Sequence, residues 1–193
     1  MKTRSIAAAL IVALACGCKR DAQPGTTTDT TRPDAVNSDA GKAGQVSPTA
    51  NTVTFDGIGR ARIGSTVAQL RDAGPVPDAK PEDTACRIVH LDWMPAGTRV
   101  MLTRDTLARI DVDSSSQVRT IDGAGNGDTE TSIHQLYPNV RTQSDKYVAT
   151  DHDVIVSSPN DTLRQIIFDT DGKTVKRYRI GRQPEISLVE GCG

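Results

Sequence analysis

The sequence predicts an α+β fold of two similar lobes, each a short N-terminal helix followed by an antiparallel β-meander, carried behind a long polar N-terminal stretch. Three observations predict it. All six aromatic residues lie beyond residue 52; two Gly-x-Thr blocks are followed by the same apolar spacing; and each block is followed by short apolar runs separated by turn residues. The chain divides into residues 1–18, 19–52, 53–118 and 119–193.

Residues 1–18, MKTRSIAAALIVALACGC, have the form of an export signal. Lys2 and Arg4 make a positive start. The apolar run Ile6 to Ala15 is shorter than the roughly 20 residues a bilayer core requires, so it reads as a removed signal peptide and not as a span. Cys16 follows Ala13-Leu14-Ala15 and Cys18 follows Ala15-Cys16-Gly17, and both settings resemble the lipobox of bacterial lipoproteins. Cys18 is preferred because Gly17 precedes it and the polar region starts at Lys19; Cys16 is the alternative. Acylation there would anchor the chain, since each buried acyl CH₂ contributes about 0.8 kcal/mol and several chains hold stably. Neither cysteine is followed by Asp, which points to the outer membrane of the cell envelope over the inner one.

Residues 19–52 are dominated by Thr, Asp, Ala, Gly, Pro and Ser, with Val36 and Val46 as the only larger aliphatics. Such a stretch buries too little apolar surface to offset its ordering entropy and reads as a disordered tether. As a flexible coil it would reach roughly 30 Å. Without Lys2 and Arg4 the chain holds 21 Lys plus Arg against 24 Asp plus Glu, a net charge of −3. So small and mixed a charge argues against nucleic acid or an anionic membrane surface as partner.

Within 53–118, Gly64-Ser65-Thr66 precedes Leu70 and Gly74; within 119–193, Gly127-Asp128-Thr129 precedes Ile133 and Tyr137 at the same offsets. Each block reads as a turn glycine, a Thr N-cap and a short helix with one buried stripe. Thr66 with Gln69 has the capping-box form, and Val67, Leu70 and Ala73 would share a face. The first lobe then offers strands at Arg87–Leu91, Arg99–Thr103 and Leu107–Val112, with Arg104-Asp105 as a turn. The second offers Lys146–Thr150, Val154–Ser157, Leu163–Phe168 and Thr174–Ile180, with Asp171-Gly172 as a strong hairpin signal. In that last hairpin Ile167, Val175, Tyr178 and Ile180 are the expected inward positions.

Gly-x-Thr followed by a short amphipathic helix and a meander resembles the SmpA/OmlA (BamE-like) envelope lipoproteins, and two such units in tandem resemble β-lactamase-inhibitory-protein-like repeats. The stretches from Asp56 to Thr66 and from Val189 to Cys192 are also similar to a group of bacterial lipoproteins. The resemblance implies a non-enzymatic protein-binding or scaffolding module in the envelope. In it Gly64, Thr66, Gly127 and Thr129 shape helix starts and take no part in chemistry. The expected partners are the membrane, through the N-terminal lipid, and an envelope protein. No nucleic acid, small molecule, cofactor or metal is expected. An inhibitor of a periplasmic hydrolase is the alternative within the same resemblance.

Cys86 and Cys192 are the remaining cysteines, and an even pair in an oxidising compartment is expected to form a disulfide. Spacing offers other candidate chemistry. His90 and Asp92, two apart on a strand, would share a face and give the alternative reading of a metal-binding or enzymatic domain. Asp151-His152-Asp153 is a charged turn whose neighbours point in different directions. His134 falls on the polar face of the second helix and reads as solvated. Asp122-Gly123-Ala124-Gly125-Asn126-Gly127-Asp128 lacks the order of a Ca²⁺ loop and its terminal bidentate Glu, so it reads as an inter-lobe turn. No G-x-S-x-G elbow, P-loop or H-E-x-x-H occurs in the sequence.

Overall fold

The computed structural model describes residues 49–83 and 85–192; the export signal, Cys16, Cys18 and nearly all of the tether lie outside them. Within them the protein is mainly β, with two short helices set against two sheets. The first part holds β1 (Thr52–Thr54), β2 (Gly57–Ile58), β3 (Ala61–Arg62), α1 (Val67–Arg71), β4 (Cys86–Val89), β5 (Thr98–Thr103) and β6 (Thr106–Val112). The second holds β7 (Arg119–Thr120), α2 (Glu130–Leu136), β8 (Arg141–Ser144), β9 (His152–Ser157), β10 (Arg164–Thr170) and β11 (Val175–Arg182). No described helix is long and apolar enough to cross a membrane.

Thr66 opens α1 through a capping box: its Oγ1 accepts from the Gln69 N–H at 3.2 Å, and the Gln69 side chain accepts from the Thr66 N–H at 2.9 Å. Thr129 opens α2 in the simpler way, accepting from the Ser132 N–H at 3.1 Å. Gly64 and Gly127 precede these caps at φ +92° and +82°, where a Cβ would meet nothing within 4 Å. The backbone angle, not space, therefore selects glycine there. Each helix start is stitched to a distant strand by the same bonds. Gly64 N–H donates to Leu107 O, Leu107 N–H to Ser65 O and Val67 N–H to Asp105 O; Gly127 N–H donates to Val175 O, Val175 N–H to Asp128 O and Glu130 N–H to Lys173 O.

The meanders do not form separate bodies. β4, β5 and β6 continue into β11, β10, β9 and β8 as one seven-stranded antiparallel sheet, because β6 pairs with β11. At that junction Ile110 faces Ile180, Asp111 faces Arg179 and Val112 faces Tyr178. The small sheet, β3-β2-β1-β7, also crosses the expected boundary at residue 118, since β1 and β7 run parallel. Apolar burial explains the merger: Val100, Leu102, Ile110, Phe168, Tyr178 and Ile180 share one core cluster with Val53, Leu70 and Ile133. Neither half closes that cluster alone.

One expected strand and one expected inward position differ. Residues 146–150 form a turn, because the Asp145 carboxylate accepts from the N–H groups of Tyr147 (2.7 Å) and Val148 (2.9 Å) and bends the chain. Those bonds hold the Asp145 carboxyl below its usual range. The edge strand is β8 instead, a polar segment with all four residues exposed. Ile167 points away from the main core and packs with Ile155 and Ile186 on the opposite face.

Candidate functional site

That opposite face carries the most organised chemistry among the described residues. Side chains alternate between faces along a strand, so the residues left over from the core form rows across the sheet. One row runs Arg99, Asp111, Arg179, Ile167, Ile155 through successive cross-strand pairs. The next runs Arg177, Asp169, Asp153, Gln143. Opposite charges face each other at Arg99/Asp111, Asp111/Arg179 and Arg177/Asp169, an arrangement that stabilises a sheet, whereas Asp169 and Asp153 set like charges opposite each other.

The centre is Arg179, 9% exposed at its side chain. It donates to Asp169 and lies 3.3 Å from Asp153, while Arg177 Nε donates to the other Asp169 oxygen at 2.7 Å. Burial, with help from the neighbouring Asp169 carboxylate, pushes the Asp153 carboxyl up against the lowering effect of Arg179. One buried guanidinium is therefore shared by two carboxylates.

The segment after β11, residues 183–192, straps this face. A 3₁₀ turn at Glu185–Ser187 sets Ile186 onto Ile155 and Ile167. Arg179 Nε donates to Ile186 O at 2.8 Å, and Arg109 donates to Leu188 O at 2.6 Å. Arg109 also pairs with Asp111 at 3.0 Å. The strap ends in a disulfide between Cys192 and Cys86 of β4, with Cα atoms 5.5 Å apart. Tyr147 donates its hydroxyl to Glu190, tying the 146–150 turn to the strap.

Beside the strap lies a groove of about 250 Å³ lined in part by Ile88, Arg99, Asp113, Arg177, Leu188 and Val189. Among this mostly charged lining Ile88 is 38% exposed, Val189 40% and Leu188 44%, and Tyr147, bonded to Glu190 of the strap, is 57% exposed. Asp113 is held below the usual carboxylate range chiefly by the Ser115 hydroxyl, which donates to it at 2.6 Å.

The other sequence-predicted residues lie elsewhere. His90 and Asp92 do approach, at 3.6 Å, but Asp92 is 98% exposed and the His90 Nδ1 is taken by Thr98 O at 3.1 Å. In Asp151-His152-Asp153 the last two residues point to opposite faces, Asp153 toward Arg179 and His152 toward Glu130 at 3.1 Å. His134 is not simply solvated: it faces Thr142 Oγ1 at 3.2 Å and stands 3.9 Å from Glu130. Both contacts fall on the same ring nitrogen, Nε2, so Thr142, His134 and Glu130 lack the two-sided relay that activates a hydroxyl nucleophile. Asp128 is occupied by Arg119, at 2.8 Å, and by the Gly125 N–H, which makes the 122–128 stretch a closed turn. Among the described residues no group of three or more His, Cys, Asp or Glu could hold a metal ion.

Sequence reasoning missed the strap face. One signal was present: charged residues at alternate positions, Arg109/Asp111 and Arg177/Arg179, in strands whose other face is apolar. Compared with family models, curated proteins and solved structures, the chain matches none.

Proposed function

We propose that this chain is a lipid-anchored, non-enzymatic protein of the cell envelope, in the outer membrane, whose folded domain binds another protein through the strap face of the large sheet. The anchoring part rests on the sequence of residues 1–18. The binding part rests on one observation: Ile88, Leu188, Val189 and Tyr147, from three separate segments, leave apolar surface exposed together on a frame fixed by the Cys86–Cys192 disulfide. Exposed apolar surface gathered around a groove is what protein contact sites use, whereas isolated exposed residues carry no such meaning. Most charges on that face are spent on one another and on strap carbonyls, which suits a scaffold more than a reaction centre.

Residues 53–118 and 119–193 are read as two copies of one helix-plus-meander unit, in keeping with the SmpA/OmlA (BamE-like) resemblance. The support is the recurrence of three backbone bonds at each helix start, and the pairing of β6 with β11 about Asp111 and Arg179. The test uses the full lipid-anchored chain in cells, with a photo-crosslinking residue in place of Val189 or, as control, of exposed Glu82. Discrete protein adducts at position 189 and none at position 82 are expected. The same adducts from both positions overturn the binding reading.

A further inference from the structure

We infer that a second groove, beside Trp93, is a saccharide site whose occupant carries a carboxylate, with the indole as platform, Asn51 as the amide that meets the ring substituents and Arg60 as the residue that reads the acid. The site stands apart from the strap face and does not rest on the binding reading given for that face. It departs from the expectation, drawn from sequence, of no small-molecule ligand. The groove measures about 400 Å³, lies where β1 begins, and is lined in part by Thr49, Asn51, Arg60, Ala73, Trp93 and Met94. Its half-buried indole is fixed. The ring N–H donates to Pro75 O at 3.0 Å, and the ring stands so close to Gly74 that an added Cβ would come within 2.3 Å of its Cδ1. The segment that carries Asn51 is fixed as well, because the Ala50 carbonyl rests against Gly59, where an added Cβ would lie 2.7 Å from that oxygen.

Among the described residues no carboxylate lines this groove, and both of its charged side chains are arginines. Arg62 is spent on Asp56 at 3.4 Å, and Asp56 also faces Arg164. Asp92, the chain neighbour of Trp93, faces His90. Arg60 differs: it is exposed, one of its amino groups donates to the Asp72 carbonyl, and among the described residues no ion pair engages its guanidinium. Asn51 is exposed too, and among the described residues its amide has no partner. The free amide offers a donor and an acceptor side by side, the guanidinium a planar fork that suits a carboxylate, and the indole a broad apolar surface. A pyranose meets all three: its C–H groups make an apolar face, its hydroxyl or acetamido groups a polar edge, and a carboxylate substituent engages Arg60. A purely apolar occupant would strip water from Asn51 and Arg60 without replacing those hydrogen bonds. A simple anion would use Arg60 and leave the indole idle. The volume falls within the range of small-ligand sites, which combine an apolar lining with a few placed polar groups.

Trp93 is the single tryptophan of the chain, so its fluorescence reports on the groove directly. The test titrates the full-length chain, in micelles of a detergent without a sugar headgroup, with the disaccharide of N-acetylglucosamine and N-acetylmuramic acid, which carries a carboxylate. Chitobiose supplies the same two rings without the lactyl group, and lactate supplies the acid alone. Wild type is expected to give a saturable fluorescence change with the acidic disaccharide, to bind chitobiose about tenfold more weakly, and not to respond to lactate. Arg60→Glu is expected to lose the preference for the acidic sugar and Asn51→Ala to weaken both sugars, with circular dichroism confirming that each variant is folded. Val189→Lys, on the strap face, is expected to keep full binding. No saturable change with either sugar overturns the inference. Equal affinities for the two sugars, saturation by lactate at like concentrations, or binding unchanged in both Arg60→Glu and Asn51→Ala overturn it as well. The crosslinks expected at position 189 test the strap face separately, so either reading can fail without the other.

Discussion

Arg179, Asp153 and Asp169 pose a question of balance at the scale of single residues. Removing one partner of a buried charge cluster leaves uncompensated charge, and such losses run to about 3–5 kcal/mol. Arg179→Met leaves Asp153 without a cation, while Asp169 keeps Arg177, and is expected to destabilise the protein by about that amount in urea denaturation. Asp153→Asn is expected to behave oppositely, because Arg179 keeps Asp169 and a like-charge contact disappears. The pH dependence follows from the sign of the shift. A carboxyl raised by folding takes its proton more readily in the folded chain, so its contribution is fully present below the ordinary Asp value of about 4 and is lost as pH rises through the folded value. Asp153→Asn should therefore gain on wild type most at neutral pH and lose that advantage as pH falls toward 4. An Asp153→Asn variant as damaged as Arg179→Met would sink this account of the cluster. Residue identity alone did not reveal the cluster. Asp153 sat in a stretch read as a charged turn, and only strand register places it beside an arginine 26 positions away.

Among the elements, those governed by local chemistry were legible and those governed by partners were not. The caps of α1 and α2 follow from Thr66, Gln69 and Thr129 because each bond closes within three residues. The turn at Arg104-Asp105 was legible in the same way, and both residues adopt positive φ there. By contrast, β8 has no apolar alternation to betray it; it is a strand because β9 offers it an edge. The strap was equally hidden: nothing local in 183–192 says that two arginines of distant strands will hold its carbonyls. Its stability is accordingly divided. The disulfide closes a separation of 106 residues, which the chain-entropy model values at up to about 4–5 kcal/mol, while Ile186, Arg109 and Arg179 dock the strap without it. Replacing Cys86 and Cys192 by Ser is expected to lower the urea midpoint and to make the chain after Leu188 the first site of limited proteolysis, with Ile186 still protected. Simultaneous cleavage through Glu185–Ser187 would show that the disulfide alone holds the strap.

For the whole molecule, the mixture of short helices with antiparallel strands could be read from spacing, but the union of the strands into one seven-stranded sheet could not, because spacing says nothing about which edge meets which. On the proposed reading of two copies, the junction gives a reason for the halves to lie on one chain. In the reading of two copies, Asp111 and Arg179 are equivalent positions that face each other. A pair of identical halves joined the same way would set Asp against Asp, or Arg against Arg, at that place, and like charges directly opposite destabilise a sheet. The apolar neighbours on either side, Ile110 with Ile180 and Val112 with Tyr178, would survive the exchange; the central pair would not. A fragment of residues 119–193 also loses β1 as the partner of β7 and the Val118 carbonyl that accepts the Tyr178 hydroxyl at 2.8 Å. It leaves β11 as an unpaired eight-residue edge and uncovers the buried Tyr178 and Ile180. The fragment is therefore expected to be unfolded or aggregated by circular dichroism and sedimentation, and adding residues 49–118 in trans is expected to restore a 1:1 complex with a cooperative melting transition. A soluble, cooperatively melting homodimer of 119–193 would contradict the role assigned to Asp111 and Arg179. Substituting Arg179→Asp in an otherwise intact chain asks the same question in cis, and should cost more stability than Arg179→Met because it adds a repelling charge to the one it strands.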